Sequence, residues 1–275
     1  MKMFFISAII CSLIVGCSGE NANTNQTETS LDQKEATFDQ AEAIKIIEYH
    51  RGKIVRDETL PGNPVTFIDL TRSYILKDED LAVLKAFPKL KMLNLEETNI
   101  TDEGLVQLKE LAQLEGLGLS YTKITDAGLS TVAEMKGIRG LELNNNAITD
   151  SGLKHLKENI YLRVLILSHT KVTDEGLIEF HQLPHLQHLS LSDTGITDAG
   201  IIHLKPHAQL KILYLSNTNV TDSCISTLID FKGLIKLGIV DTSITDEGVQ
   251  KLKEALPDCE IKMEYDFDAN RSGDN

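Results

Sequence analysis

Three groups of side chains in this sequence are of types that could do chemistry. Ser168, His169 and Asp193 supply a hydroxyl, an imidazole and a carboxylate, the set that a serine nucleophile needs, with the ring taking the proton and the acid holding the ring. Ser120, Ser168, Ser192 and Ser216 recur at one spacing, so the serine reads as scaffold, and consecutive residues of an extended segment point apart. No strained nucleophile turn or glycine-rich oxyanion loop accompanies them. His181, His185, His188, His203 and His207 are dense enough to suggest a metal, but they are distributed over loop, strand and helix positions, and no convergent ligand set is expected. Cys224 and Cys259 fall near a helix start and a strand start about one repeat apart, and are expected to be separate small hydrophobes rather than a disulfide. The glycines are spaced periodically and form no phosphate-binding loop. The expectation is a protein without metal or cofactor, and not an enzyme.

What positions these residues is a repeat. The pair Thr101-Asp102 returns at Thr125-Asp126, Thr149-Asp150, Thr173-Asp174, Thr197-Asp198, Thr221-Asp222 and Thr245-Asp246, always 24 residues on. A period of this length points to a solenoid. Leu93-Asn94-Leu95 alternates apolar and polar residues as a short strand does, and Leu105, Leu108 and Leu111 share one helical face over 102–111. Thr101 or Asp102 is placed to cap that helix. Gly104 recurs as Gly128, Gly152, Gly176, Gly200 and Gly248, with Cys224 breaking the column, which predicts a close approach between neighbouring helices. A lone unit of this size buries too little to offset its backbone entropy, so stability must come from stacking.

The pattern L-x-x-L-x-L-x-x-T-x-I-T-D-x-G-L-x-x-L over roughly 65–263 resembles the leucine-rich repeats, in the variant seen in F-box-associated repeat proteins and bacterial repeat lipoproteins. The resemblance implies an α/β horseshoe with a parallel concave sheet and convex helices. One departure is consistent: the family's Asn or Cys at the ninth position is here Thr98, Thr122, Thr170, Thr194, Thr218 and Thr242, with Asn146 keeping the amide. A hydroxyl bonds fewer backbone groups than an amide, so the inner ladder is expected to lean on backbone pairs or water.

Met3 to Val15 is an apolar run behind Lys2, too short to span a bilayer, which takes about 20 residues. It reads as a signal peptide over 1–16, and Ile14-Val15-Gly16-Cys17 resembles a lipobox that would leave Cys17 as the lipidated first residue. The polar stretch 17–37 reads as a disordered tether with a reach of about 25 Å. Residues 38–64, with Phe38, Ala41, Ile44 and Ile47 at helical spacing and turn chemistry at Pro61-Gly62-Asn63-Pro64, are expected to cap the repeat domain at 65–264. Residues 265–275 read as a disordered tail.

Asp and Glu number 41 against 27 Lys and Arg, a formal net charge of −14, and loss of the signal peptide removes one more lysine. Such a body is repelled by phosphate backbones and anionic head groups, so nucleic acid is excluded and membrane contact is expected through the lipid alone. Aligned by repeat, one outward strand column runs Met92, Gly116, Gly140, Val164, His188, Ile212, Lys236 and the next Asn94, Gly118, Glu142, Ile166, Ser190, Tyr214, Gly238. Val164, Ile166, Ile212 and Tyr214 are expected to stand exposed around His188, with Tyr121, His169 and Asp193 as polar rim, and Gly116, Gly118 and Gly140 as a bare strip. These observations predict a monomeric, envelope-facing, lipid-anchored module that binds a protein, peptide or glycan on its concave face. The alternatives are a structural envelope lipoprotein without a discrete site, or a substrate-selecting adaptor resembling the F-box repeat proteins.

Overall fold

The structure, a computed structural model, describes residues 39–263. The expected signal peptide, Cys17, the tether and the tail lie outside the described residues. Among these, ten strands form one sheet in chain order: β1 (Lys53–Arg56), β2 (Val65–Asp69), β3 (Met92–Asn94), β4 (Gly116–Gly118), β5 (Gly140–Glu142), β6 (Val164–Ile166), β7 (His188–Ser190), β8 (Ile212–Tyr214), β9 (Lys236–Gly238) and β10 (Glu260–Lys262). From β2 onward every pairing is parallel and in register, as a strand followed by a return helix must be when each unit is identical. The expected parallel sheet has one exception: β1 pairs antiparallel with β2, because a short turn joins them directly. Phe67 faces Met92 across β2 and β3 where later joints pair residues 24 apart, so the first repeat carries one extra residue.

The core is a continuous aliphatic column. Leu93, Leu117, Leu141, Leu165, Leu189, Leu213 and Leu237, the central residues of successive strands, are all buried, and the helical leucines Leu105, Leu129, Leu153 and Leu177 close over them. The N-terminal end is covered by α1 (Gln40–Tyr49), which buries Ala43 and Ile47.

The return helices are shorter than the expected 102–111. They are α2 (Asp102–Val106), α3 (Asp126–Val132), α4 (Asp150–Leu153), α5 (Asp174–Leu177), α6 (Asp198–Ile201) and α7 (Ile225–Leu228), before a full α8 (Asp246–Ala255). Each must turn back to the next strand within its unit, and several finish as 3-10 turns.

The Thr-Asp pair divides its labour. The threonine caps its own helix: Thr101 Oγ1 accepts from Glu103 N–H and Thr125 Oγ1 from Ala127 N–H. The aspartate reaches the next repeat instead. Asp102 Oδ1 accepts from Thr125 N–H at 2.9 Å and Oδ2 from the Thr125 hydroxyl at 2.6 Å, and the same two bonds run from Asp78 to Thr101 and onward to the pair Asp222 and Thr245. The glycine column follows from this ladder rather than from helix contact alone. A Cβ at Gly176 would sit 2.5 Å from Asp150 Oδ1, and each equivalent glycine faces the equivalent carboxylate. Where Cys224 replaces glycine the ladder survives, but the helix begins as a 3-10 turn over Asp222–Cys224.

The ninth-position threonines turn inward on their own unit. Thr98 Oγ1 donates to the Leu95 carbonyl at 2.6 Å and Thr122 to that of Leu119, whereas Asn146 Nδ2 reaches across the joint to the Leu119 carbonyl. The hydroxyl thus closes a turn, and the backbone pairs carry the sheet, as expected.

Candidate binding face

Two surfaces meet along the sheet: the outward strand columns and, three residues after each central leucine's strand ends, a row of turn residues. The turn row is Arg72, Glu97, Tyr121, Asn145, His169, Asp193, Asn217 and Asp241, and every member holds φ between 51° and 63°. Asparagine, aspartate and histidine are the side chains most often found in this left-handed conformation; tyrosine, arginine and glutamate are uncommon there. Tyr121 is 48 % exposed there. Neighbours in the row pair across the joints: Arg72 Nε lies 3.0 Å from Glu97 Oε2, His169 Nε2 lies 3.3 Å from Asp193 Oδ2, and Asn217 Nδ2 donates to Asp193 Oδ1. The row is a polar rim, paired at three of its joints, with the Tyr121 phenol and the His169 imidazole in it.

On the strand columns the expected exposure is corrected. Val164, Ile166 and His188 point away from the leucine core yet are buried. A side chain on a concave sheet is flanked at about 4.8 Å by the neighbouring strands, and inward curvature draws the tips of these side chains together. Ile212 and Tyr214 remain half-buried, and the Tyr214 ring lies across Gly238, where a Cβ would come 2.6 Å from Cδ1. Gly118 is likewise not bare: Asn94 Oδ1 occupies the space that a Cβ would take. The accessible part of the expected surface is therefore Tyr121, His169 and Asp193 on the rim, with Ile212 and Tyr214 beside it.

Burial sets the electrostatics of this face. The His188 ring is held neutral, its pKa lowered to about 4 by desolvation and then by Lys211. Glu142 and Glu96 go the opposite way. Desolvation, then the charge of Glu96, raises Glu142 to about 8, and desolvation, then Glu97, raises Glu96 to about 7. Among the described residues neither Glu142 oxygen has a hydrogen-bond partner.

The serine, histidine and acid of the sequence do not assemble. The Ser168 hydroxyl is 2.6 Å from that of Ser190, so the His169–Asp193 pair has no serine and Asp193 is shared with Asn217 instead. A different set does assemble. His50, at the end of α1, has Nδ1 3.3 Å from Ser73 Oγ and Nε2 3.4 Å from Asp80 Oδ2, and His50 and Ser73 are buried. Asp80 also accepts from the Lys77 N–H, so it caps the turn over Asp78–Ala86. Buried and tied to a cap, this set pins α1 to the first repeat. Nothing in the spacing of 50, 73 and 80 marks it in the sequence, since it lies across the irregular first unit.

The remaining histidines are dispersed. His181 and His203 rings are 6.2 Å apart, His185 stacks on Tyr161 at 6.4 Å, and His207 is buried. Among the described residues no group of three His, Cys, Asp or Glu could hold a metal ion. Cys224 and Cys259 are free thiols, raised by burial to about 12 and about 11.

The family model described as Leucine Rich repeat matches residues 88–109, 138–157, 158–180 and 182–204. Internalin C2 from Listeria monocytogenes superposes with a TM-score of 0.59 at 25% identity, covering 73% of this chain and 81% of that one. The fold is a leucine-rich-repeat solenoid. A leucine-rich-repeat protein of Leptospira interrogans is also similar, with a TM-score of 0.49 and 22% identity over 66% of this chain and 51% of its own. A search of curated proteins finds no match. Leucine-rich repeats, like other solenoids, present extended concave surfaces to protein partners, and the rim and half-buried strand residues described above lie on that side.

Proposed function

We propose that this chain is an envelope-facing binding module, held to a membrane by lipid on Cys17, which captures a protein partner as a monomer along the concave face and its rim. The observation that carries the reading is the turn row. At Tyr121 the backbone is left-handed, where asparagine or glycine would sit with less strain, yet an exposed aromatic is kept, with the exposed His169 two places along the same row. Strain held at an accessible side chain is a mark of use. Tyr214 and Ile212 extend the same surface onto the sheet, giving an aromatic and aliphatic centre inside a polar rim, the usual anatomy of an interface. The lipobox-like Ile14-Val15-Gly16-Cys17 supports the anchor, and the acidic charge supports contact with protein rather than with head groups.

The test is a photo-crosslinker placed at Tyr214 in native cells, with a control at the exposed Lys154 beside α4. One protein captured at Tyr214 and not at Lys154 is the expected result. Equal capture at both positions, or none, would favour a structural envelope component. Substituting Cys17→Ser should abolish labelling by a palmitate analogue and release the protein from the membrane fraction. Retained labelling would remove the anchor from the reading.

A further inference from the structure

The concave face holds one group that the repeat does not explain. Glu142 is the last residue of β5; Leu141 and Leu143 on either side face the core, so its side chain belongs to the concave side. It is 1% exposed, and among the described residues neither carboxylate oxygen has a hydrogen-bond partner. A buried unpaired carboxyl is costly, and natural proteins rarely keep one without a use. The neighbours in register are Gly118 on β4 and Ile166 on β6, neither of which can donate from a side chain. The charged group that acts on Glu142 is another acid, Glu96. A lone acid thus interrupts a column that otherwise holds small, apolar or neutral polar residues from Asn94 to Gly238, in a chain already carrying excess negative charge.

We infer that Glu142 is a receptor for a cationic side chain, lysine above all, presented by the protein that docks on the concave face. The ammonium head would meet the Glu142 carboxylate. Glu142, Val164 and the glycines of β4 and β5 are closed to solvent in the free protein, so the Glu142 side chain must turn outward to meet the cation, whose aliphatic stem then lies across the concave side of β4 and β5. A cation supplies the missing donor and turns a desolvated acid into a charge-assisted pair, the strong class of hydrogen bond. This inference rests on the concave-face reading above and names the chemistry that the face selects.

The probe is acetylated, amidated tri-lysine, with tri-norleucine as the same shape without the charge. Binding is read from the amide resonances of Gly116, Gly118 and Gly140 at pH 7. Tri-lysine should shift them saturably and tri-norleucine should not. Glu142→Gln should weaken the tri-lysine affinity at least tenfold, whereas Glu175→Gln, on α5, should leave it unchanged. Because a core-adjacent variant could lose stability, the carboxyl 13C resonance of wild-type Glu142 is followed in the same titration, and it should move toward the ionised position. Glycine shifts that persist in Glu142→Gln, or a Glu142 carboxyl that does not respond, would overturn the inference. If Glu142→Gln still gives full partner capture at Tyr214 in cells, the cation receptor falls while the concave-face reading stands.

Discussion

At the scale of single residues the molecule is governed by carboxylates. Those of the ladder from Asp78 to Asp222 are fully used, each accepting from a threonine N–H and hydroxyl of the next unit, and the glycine column exists to leave them room. Gly128→Ala should therefore lower stability by about 1 to 3 kcal/mol in denaturant unfolding, as expected when a buried hydrogen-bonded pair is displaced. Cys224→Gly should cost about 1 kcal/mol for a different reason, since it removes a buried core side chain and adds a flexible residue at the helix start. The carboxylates of Glu142 and Glu96 are the counter-case. Their folded pKa values, about 8 and about 7, lie above the ordinary 4.5, so the stability tied to their protonated forms is present below pH 4.5 and is lost as pH rises through 7 and 8. His188, lowered to about 4, titrates only on the acid side of 6.5 and is neutral in that range. The thermal midpoint should fall by a few degrees between pH 6.5 and 8.5, and Glu142→Gln should flatten that fall; an unchanged slope would show that Glu142 ionises freely. The leucine positions and the threonine caps were legible in the sequence because they repeat. Glu142 stands in the sequence only as one member of a strand column, because spacing does not tell how deeply it is buried, whereas the recurrence of Asn145, Asp193, Asn217 and Asp241 at one position carries the signal of a left-handed turn.

At the scale of elements, three-residue strands and four-residue helices have no independent stability, and their order comes from the joints. Leu165→Ala, at the centre of β6, should cost about 2 to 5 kcal/mol, because the column on both sides is already closed. The rim behaves differently. Tyr121→Asn should leave the thermal midpoint unchanged or raise it, since asparagine suits the left-handed turn better, while weakening partner capture. A midpoint that drops with capture intact would make Tyr121 a packing residue and remove it from the interface. The N-terminal cap is a third kind of element, held by a polar set rather than by periodicity. His50→Ala should speed amide exchange across Gln40–Tyr49 and leave β4 to β8 protected, a split that a lost core contact would not give. The expected helices over 102–111 were too long because apolar spacing marks a buried face but not where the chain must turn. The expected exposure of Val164 and Ile166 failed for a related reason: strand alternation tells which side a residue faces, not how closely a curved sheet crowds that side.

At the scale of the whole molecule the register never slips after β2, so the solenoid is a stack of equal joints. Removing one complete unit, residues 126–149, should leave a folded protein with the same circular dichroism per residue and a lower unfolding midpoint, because stability is a sum of neighbour terms. Loss of folding would mean that one joint dominates. These joints have a direction. Each aspartate acts on the unit that follows it and each threonine answers the unit before, and among the described residues the series runs from Asp78 to Thr245. In the history of such a gene, a tandem duplication of one unit anywhere along the array reproduces the same interface on both sides and can be accepted without a compensating change. Length is then freely inherited, and specificity must be rewritten at the few outward positions that the joints leave alone.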